Sequence, residues 1–255
     1  MDKKPLCVIV PDVHGRKFWK DAMEFDCDVI FLGDYLDPYG FEGINNKDAI
    51  ENFTEILDYM ETHDNASFLL GNHDCEYLIG TDVCNCRCDY WHFDIIREMF
   101  KENSKRFSFA IERHYADKKF LFTHAGVHPE WLDSHRDYIS IEYLKNFEYI
   151  DINNSSVGMD TTLGVGKFYS ALGDVSGMRG GYNAAGSVVW SDIREYKNVV
   201  LDKYYDQQIV GHTYLKSDPI GTEQITCVDL QRIFLIDENG ELCEKDFTPV
   251  KKIFL

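Results

Sequence analysis

Five short segments of this chain carry aspartate, histidine or asparagine directly after an apolar run, next to glycine or another small residue. In one of them the run at residues 29–32 breaks at Gly33 and is followed by Asp34 and Asp37. Carboxylate, imidazole and amide groups suit divalent cations such as manganese, iron, zinc or magnesium. The pattern predicts a metal site whose candidate residues are Asp12, His14, Asp34, Asp37, Asn72, His73, His124 and His212.

Taken alone, Asp34 and Asp37 fit a turn or helix-capping role equally well. A single histidine of this kind is more often a structural residue. The recurrence of the pattern after five apolar runs favours the metal site, and the number of ligands suggests two cations. Two cations about 3.5–4 Å apart need a bridging carboxylate, and such a pair can activate water and hold a phosphoryl group.

The elements that must position these residues are short buried strands. Strands are predicted at residues 6–10, 29–32 and 67–70, with helices at 16–25 and 45–63 between them. Strand-helix-strand order favours parallel pairing with right-handed crossovers. Since ligands of open α/β sheets bind at the carboxyl ends of the strands, the candidate residues are expected to meet at one edge.

The chain is predicted to be a single domain, residues 1–255, because no linker divides it. An insertion or cap is expected at about residues 75–106, over one end of the sheet. Other predicted elements are a helix at 90–102, a hairpin of strands 107–112 and 119–123, a helix at 139–149, a long loop with short helical pieces at 153–187, strands at 187–190 and 208–210, and a β-meander of strands 225–230, 232–237 and 242–247 with a turn at Asn239–Gly240.

Composition excludes several classes of partner. The formal net charge of -18 repels polyphosphate backbones, so no nucleic-acid polymer is expected as a partner. No stretch reaches the ~20 apolar residues of a membrane span, and the N-terminus does not resemble a secretory signal. A cytoplasmic location is expected, with the eight scattered cysteines reduced. A zinc site at Cys84, Cys86 and Cys88 is the alternative for the densest of them.

The segments Asp12-Val13-His14-Gly15, Gly33-Asp34-Tyr35-Leu36-Asp37, Gly71-Asn72-His73-Asp74, His124-Ala125-Gly126 and Gly211-His212-Thr213 resemble the motifs of the calcineurin-like metallophosphoesterase superfamily. The resemblance is closest to the phosphoprotein phosphatase branch and its bacterial and phage relatives. It implies an α/β fold in which two mixed sheets form a β-sandwich flanked by helices.

The resemblance also implies a role for each candidate residue. Asp12, His14 and Asp34 would hold the first metal, and Asn72, His124 and His212 the second, with Asp34 bridging. His73 would protonate the leaving-group oxygen, and Asp37 would orient His73. The cofactor would be two divalent cations, with manganese expected in vitro and iron or zinc as alternatives. Tyr214 stands where many relatives carry a further metal-binding histidine, as expected for this branch.

One position departs from the family pattern. Pro38 occupies the place of an arginine that grips the phosphate, and proline offers no bidentate donor. Arg194 matches the other family arginine by its position in the chain. Arg179 is a second candidate for phosphate binding, and Arg16 is a third.

The predicted activity is hydrolysis of phosphomonoesters, on a protein or a small molecule, by direct attack of metal-bound hydroxide. A nucleotide hydrolase of the diadenosine-tetraphosphatase type shares these motifs and is the alternative. A non-catalytic scaffold on the same fold would be expected to lose His73 or Asn72, and this chain keeps both.

Overall fold

The computed structural model of the chain describes residues 3–80, 86–154 and 156–255. Its strands are β1 (Cys7–Val10), β2 (Asp28–Phe31), β3 (Ala66–Leu69), β4 (Phe107–Ser108), β5 (Ala110–Tyr115), β6 (Lys118–Thr123), β7 (Gln207–Val210), β8 (Ile220–Gly221), β9 (Ile225–Cys227), β10 (Phe234–Ile236), β11 (Leu242–Cys243) and β12 (Ile253–Phe254). The helices are α1 (Asn46–Thr62), α2 (Asn72–Leu78), α3 (Phe93–Glu102), α4 (Pro129–Ser134), α5 (Ile141–Lys145) and α6 (Met159–Leu172).

The strands form two six-stranded sheets. In the first, with the order β11-β10-β1-β2-β3-β4, the pairs from β1 to β4 are parallel, and β10 runs antiparallel to β1. In the second, with the order β12-β8-β9-β7-β6-β5, the β5–β6 pair is antiparallel and β7 is parallel to both β6 and β9. The predicted α/β fold of two mixed sheets is confirmed.

The first sheet is buried on both faces, which explains why its strands read as continuous apolar runs. In β1, Cys7 and Ile9 contribute to the core between the two sheets. Val8 and Val10 point to the opposite face and pack in the cluster that includes the apolar side of α1. The alternation follows from the two-residue repeat of a strand.

The predicted parallel strands and the helix between the second and third are present. The helix predicted at residues 16–25 is instead a 3-10 helix, Phe18–Glu24. Its buried side chains, Trp19 and Ala22, are three residues apart, which is the repeat of that helix type. The helix predicted at residues 90–102 begins at Phe93, because Asp89 accepts hydrogen bonds from the backbone of Trp91 and His92 and forms a turn first.

The predicted hairpin is present for part of its first strand, and the predicted meander was wrong in its pairing. The run at residues 107–112 is divided, since β4 joins the first sheet and β5 forms the hairpin with β6 in the second. The tail is not a meander, because β9 belongs to the second sheet while β10 and β11 belong to the first. Backbone hydrogen bonds from Leu230 to Val228 and from Arg232 to Leu230 turn the chain between the sheets. The predicted Asn239–Gly240 turn joins β10 to β11, with Gly240 at φ 71°.

Three further predictions, all between residues 139 and 190, differ from the structure. The long loop predicted at 153–187 contains α6, in which buried Phe168, Tyr169 and Leu172 outweigh the low helix propensity of its two glycines. The helix predicted at 139–149 is limited to α5, which Ser140 caps. The strand predicted at 187–190 is a turn, because the Trp190 amide donates to the Ser187 carbonyl at 3.0 Å.

The predicted insertion at about 75–106 is described at both ends. Tyr77 of α2 stacks on Phe100 of α3, with ring centroids 6.2 Å apart. Cys84 lies outside the described residues, so the three-cysteine zinc site stays a prediction, as does the single-domain boundary. In the described ranges, no helix combines the length and the apolar composition that crossing a membrane requires.

Candidate metal centre

The eight candidate residues lie together at the carboxyl ends of five strands. Asp12 and His14 follow β1, Asp34 and Asp37 follow β2, and Asn72 and His73 begin α2 directly after β3; His124 follows β6, and His212 follows β7. All eight side chains are buried. A pocket of about 270 Å³ is lined by six of them, namely Asp12, His14, Asp34, Asn72, His73 and His212.

The backbone is held in an uncommon conformation at four of these positions. His14, Asp34, Asp37 and His212 have φ values of 45°, 53°, 60° and 64°. Positive φ is uncommon for residues other than glycine and clusters at functional sites. The backbone therefore turns sharply in the segments that follow β1, β2 and β7.

Two glycines let carboxylates approach the backbone. A Cβ atom at Gly71 would collide with the carboxylate of Asp34, and one at Gly211 would collide with that of Asp12. Asp12 accepts hydrogen bonds from the His212 amide at 3.0 and 3.2 Å. These contacts explain why small residues precede the ligands in the sequence.

The ligand atoms form two groups that share Asp34. In the first group, atoms of His14, Asp34 and His73 lie within 4.8 Å of one another; in the second, so do atoms of Asp34, His124 and His212. The Asp34 carboxylate is 3.6 Å from Nε2 of both His14 and His124. Asn72 completes the second group, with its Oδ1 3.2 Å from His124 Nε2.

The protonation of the histidines suits metal binding. Nδ1 of His14 donates to the Leu36 carbonyl, and Nδ1 of His124 donates to the Leu32 carbonyl, each at 2.8 Å. These bonds leave the Nε2 lone pairs facing the pocket, as in many metal sites. Burial lowers the pKa of His14 and His212 well below the usual range, and neighbouring positive charges lower it further.

A negative charge on the buried carboxylate of Asp34 is unfavourable when no cation is bound. Burial is the largest cause that raises the pKa of Asp34, and the charges of Asp12 and Asp74 raise it further. His212 Nε2 is buried and has no hydrogen-bond partner in the described part of the chain. Divalent cations would offset the like charges and engage such nitrogens, so the residues fit the metal pair that the sequence predicts.

His73 and Asp37 form a hydrogen-bonded pair at the rim of this cluster. His73 Nδ1 lies 2.7 Å from Asp37 Oδ2, and the Tyr77 hydroxyl donates to the other carboxylate oxygen. Burial alone would lower the pKa of His73, but the charge of Asp34 and the contact with Asp37 outweigh it, so that the pKa is raised. The contact with Asp37 occupies Nδ1 of His73, and the ring lines the pocket beside His14 and Asp34.

Asp74 fixes the two central segments against each other, a role that the sequence analysis missed. Its carboxylate accepts from the amides of Asp34 at 2.7 Å, Gly71 at 2.8 Å and Tyr35 at 3.1 Å. Burial raises its pKa to about 6, although the three amide hydrogen bonds oppose the shift. The signal was its place in the Gly71–Asp74 segment, directly after two candidate residues.

The arginines selected from the sequence occupy three different settings. Arg179 lines the pocket and donates to the His212 carbonyl at 3.2 Å. Arg194 lines a neighbouring cavity of about 660 Å³ and is bound through two nitrogens to the buried Asp192. Arg16 is buried and paired with Glu42 at 2.8 Å, so it stabilises the loop rather than facing the pocket. Tyr39, Arg87 and Trp190 also line the pocket, and no role was predicted there for Arg87 or Trp190.

The chain belongs to the calcineurin-like phosphoesterase family, whose model matches residues 9–215. Family membership and the two ligand groups identify it as a metal-dependent phosphoesterase. A protein serine/threonine phosphatase from Saccharomyces cerevisiae, described as similar to human phosphatase PP5, is among the similar solved structures. It aligns with a TM-score of 0.48 and 14% identity over 90% of this chain and 72% of its own. No curated protein sequence gives a significant match.

Proposed function

We propose that the protein is a dinuclear-metal phosphatase that hydrolyses phosphomonoesters. The observation that carries the proposal is Asp34, whose carboxylate is shared by both groups of ligand atoms. Asp12, which lines the same pocket, would join His14 and Asp34 at one cation and leave His73 of the first group for proton transfer. Asn72, His124 and His212 would hold the other cation, with manganese, iron or zinc as the metals. When bound, such a pair supplies the nucleophile and neutralises charge on the phosphoryl oxygens.

The residues of the chain do the remaining work. His73 donates a proton from Nε2 to the leaving-group oxygen, because its Nδ1 is held by Asp37. The hydrogen bond from Tyr77 keeps the Asp37 carboxylate in place. Arg179 contributes a positive charge at the pocket wall, and Arg194 would contact the part of the substrate that extends into the neighbouring cavity.

The first test measures metal content and hydrolysis together. We expect about two manganese, iron or zinc ions per chain and hydrolysis of p-nitrophenyl phosphate after loading. His73→Ala should lower kcat by roughly 10²–10⁴-fold when the leaving group needs a proton. Phenyl phosphate should therefore be affected more than p-nitrophenyl phosphate, whose leaving group is a better one.

The matched control is His114→Ala, because His114 is an exposed histidine outside the pocket. It should leave both activities unchanged. Equal losses for the two substrates in His73→Ala would contradict the acid role. One metal per chain in the active protein would contradict the dinuclear site.

A nucleotide hydrolase that cleaves dinucleoside polyphosphates is the second candidate. The observation in its favour is the neighbouring cavity, where Arg194 and Lys197 offer positive charge for a second phosphate. Product analysis with a phosphopeptide and with diadenosine tetraphosphate distinguishes the two. A preference for the phosphopeptide by kcat/KM supports the phosphomonoesterase.

A further inference from the structure

Arg87 reaches the metal pocket from the predicted insertion, far from the strand ends in the sequence. Its side chain lines the pocket together with His14, Asp34 and His73. One guanidinium nitrogen donates to the Asp37 carbonyl at 3.2 Å. That carbonyl belongs to the peptide bond that joins Asp37 to Pro38, so the guanidinium lies beside the position where the family arginine is missing.

The guanidinium is held on an aromatic surface. It lies over the ring of Tyr39, 4.0 Å from the ring centroid. The edge of the same ring packs against His14, with centroids 5.1 Å apart. Cation–π contact of this kind restricts the side chain without neutralising its charge. The arginine is therefore pre-organised next to the candidate ligands.

The charge of Arg87 has no carboxylate partner among the described residues. Arg16 is paired with Glu42, and both Arg179 and Arg194 are paired with Asp192. Arg87 makes no such pair in the ranges that the structure describes, although its side chain is exposed at the pocket mouth. An arginine that keeps free donors in a pocket of phosphoesterase residues suits a phosphate dianion.

We propose that Arg87 binds the phosphate group of the substrate and takes over the function of the arginine that Pro38 replaces. This inference rests on the proposed phosphatase function, since it assigns the substrate contact of the same site. The guanidinium would donate to non-bridging phosphate oxygens while it keeps its contact with the Asp37 carbonyl. The substrate class is a phosphate monoester or its product, orthophosphate.

The backbone of Arg87 allows a clean test. Its carbonyl lies 3.1 Å from Nδ1 of His73, and this contact does not depend on the side chain. Arg87→Met removes the guanidinium while the carbonyl remains, so the orientation of His73 should be kept. Arg87→Lys retains the positive charge but loses the planar pair of donors.

The experiment compares the metal-loaded wild type, Arg87→Met and Arg87→Lys. We expect Arg87→Met to lower kcat/KM for p-nitrophenyl phosphate by roughly 10–100-fold, the range for losing a charged hydrogen bond. The Kd of orthophosphate, measured by calorimetry, should rise by a similar factor, and Arg87→Lys should recover part of both losses. The metal content and Tm should match those of the wild type.

The control is Arg136→Met, because Arg136 is an exposed arginine outside the pocket. It should leave kcat/KM and the orthophosphate Kd unchanged. If Arg87→Met keeps both values within two-fold of the wild type, the inference is wrong. A loss of metal in Arg87→Met would also overturn it, because the residue would then support the metal ligands.

Failure of the proposed function is recognised separately. A wild type that binds metal but hydrolyses no phosphomonoester contradicts the phosphatase. In that case the calorimetric comparison still tests the phosphate contact of Arg87. A higher orthophosphate Kd in Arg87→Met than in the wild type supports the contact, and an equal Kd refutes it. Normal wild-type activity with an unaffected Arg87→Met refutes the Arg87 inference alone.

Discussion

The two walls of the pocket are built in different ways. The inner wall carries the candidate metal ligands on strand ends, where the side chains are buried and four backbone positions have positive φ. The outer wall carries Arg87 and Arg179 on connecting segments, and the Arg87 side chain is exposed. We infer that the inner wall is fixed before substrate arrives, whereas the outer wall can be altered with smaller consequences.

The largest effect is expected from the residue shared by the two ligand groups. Asp34→Asn removes the charge that both cations would use, so metal content should fall and kcat/KM should drop by roughly 10³-fold or more. Metal analysis and p-nitrophenyl phosphate hydrolysis measure the two effects. Asp133→Asn, at an exposed position, is the matched control.

Retention of two metals by Asp34→Asn would contradict the role of Asp34 as the ligand shared by both cations. It would mean that the remaining ligands hold both cations without a bridge.

The same substitution should not destabilise the metal-free fold. Burial and neighbouring acids raise the pKa of Asp34 in the metal-free protein, so its negative charge is unfavourable there. The metal-free Asp34→Asn protein should therefore be at least as stable as the metal-free wild type.

Metal removal tests the inner wall without a mutation. A cation that binds only the folded state at 100 times its Kd stabilises that state by about 2.7 kcal/mol. For a chain of 255 residues this corresponds to a fall in Tm of roughly 5–10 °C when a chelator is added. Thermal denaturation with and without the chelator measures it.

The control for metal removal is Asp34→Asn, whose Tm should respond little to the chelator. Restoration of the wild-type Tm by excess manganese would exclude a direct effect of the chelator. An unchanged wild-type Tm would contradict a metal site that is coupled to folding.

The inner wall was predictable from the sequence for a physical reason. A buried strand must be apolar, its end must turn, and a ligand there needs a small neighbour, so each site leaves a compact signature. Gly71 and Gly211 show this directly, since a Cβ at Gly71 would collide with the carboxylate of Asp34 and one at Gly211 with that of Asp12. Five such signatures specify residues that are up to 200 positions apart.

The outer wall leaves no such signature. Arg87 lies in a segment without hydrophobic periodicity, and contacts with the Tyr39 ring and with the Asp37 carbonyl, 50 residues away, bring it to the pocket. The buried Asp192 binds two arginines, a fact that depends on tertiary packing. The helix α6 was likewise missed, because its glycines resemble a loop and its buried face is decided by contacts with distant residues.

A third prediction compares the two arginines that Asp192 holds. Arg179 lines the metal pocket, so Arg179→Met should lower kcat/KM for p-nitrophenyl phosphate about ten-fold, near the lower limit for a charged hydrogen bond. Arg194 lines the neighbouring cavity, so Arg194→Met should change the same value by less than about three-fold. Steady-state kinetics on both variants measures the difference.

The difference between the two variants should become smaller with a larger substrate. A phosphopeptide or a dinucleoside polyphosphate can extend into the cavity that Arg194 lines, so Arg194→Met should lose more kcat/KM on these substrates than on p-nitrophenyl phosphate. Equal effects of the two variants on every substrate would remove the distinction between pocket and cavity.

The smallest effect concerns His128, which caps α4 and lines the neighbouring cavity. Its Nδ1 accepts a hydrogen bond from the Glu130 amide at 3.3 Å, and a protonated ring cannot accept it. Burial lowers the pKa of His128, while the charges of Glu195 and Glu130 oppose the shift. The folded-state pKa therefore lies below the unfolded value of about 6.5.

Because the unfolded chain then binds more protons, this contribution to stability is present above pH 6.5 and is lost as the pH falls through the lowered pKa. Asparagine keeps a capping oxygen but does not titrate, so His128→Asn should lose less stability between pH 7 and pH 5, by up to about 1 kcal/mol. Urea denaturation of both proteins at each pH measures the difference, in which effects of pH on the metal ligands cancel. Parallel curves would contradict the capping role. A difference in slope with equal kcat/KM at pH 7 would show that residues beyond the inner wall can change stability while the candidate metal ligands stay in place.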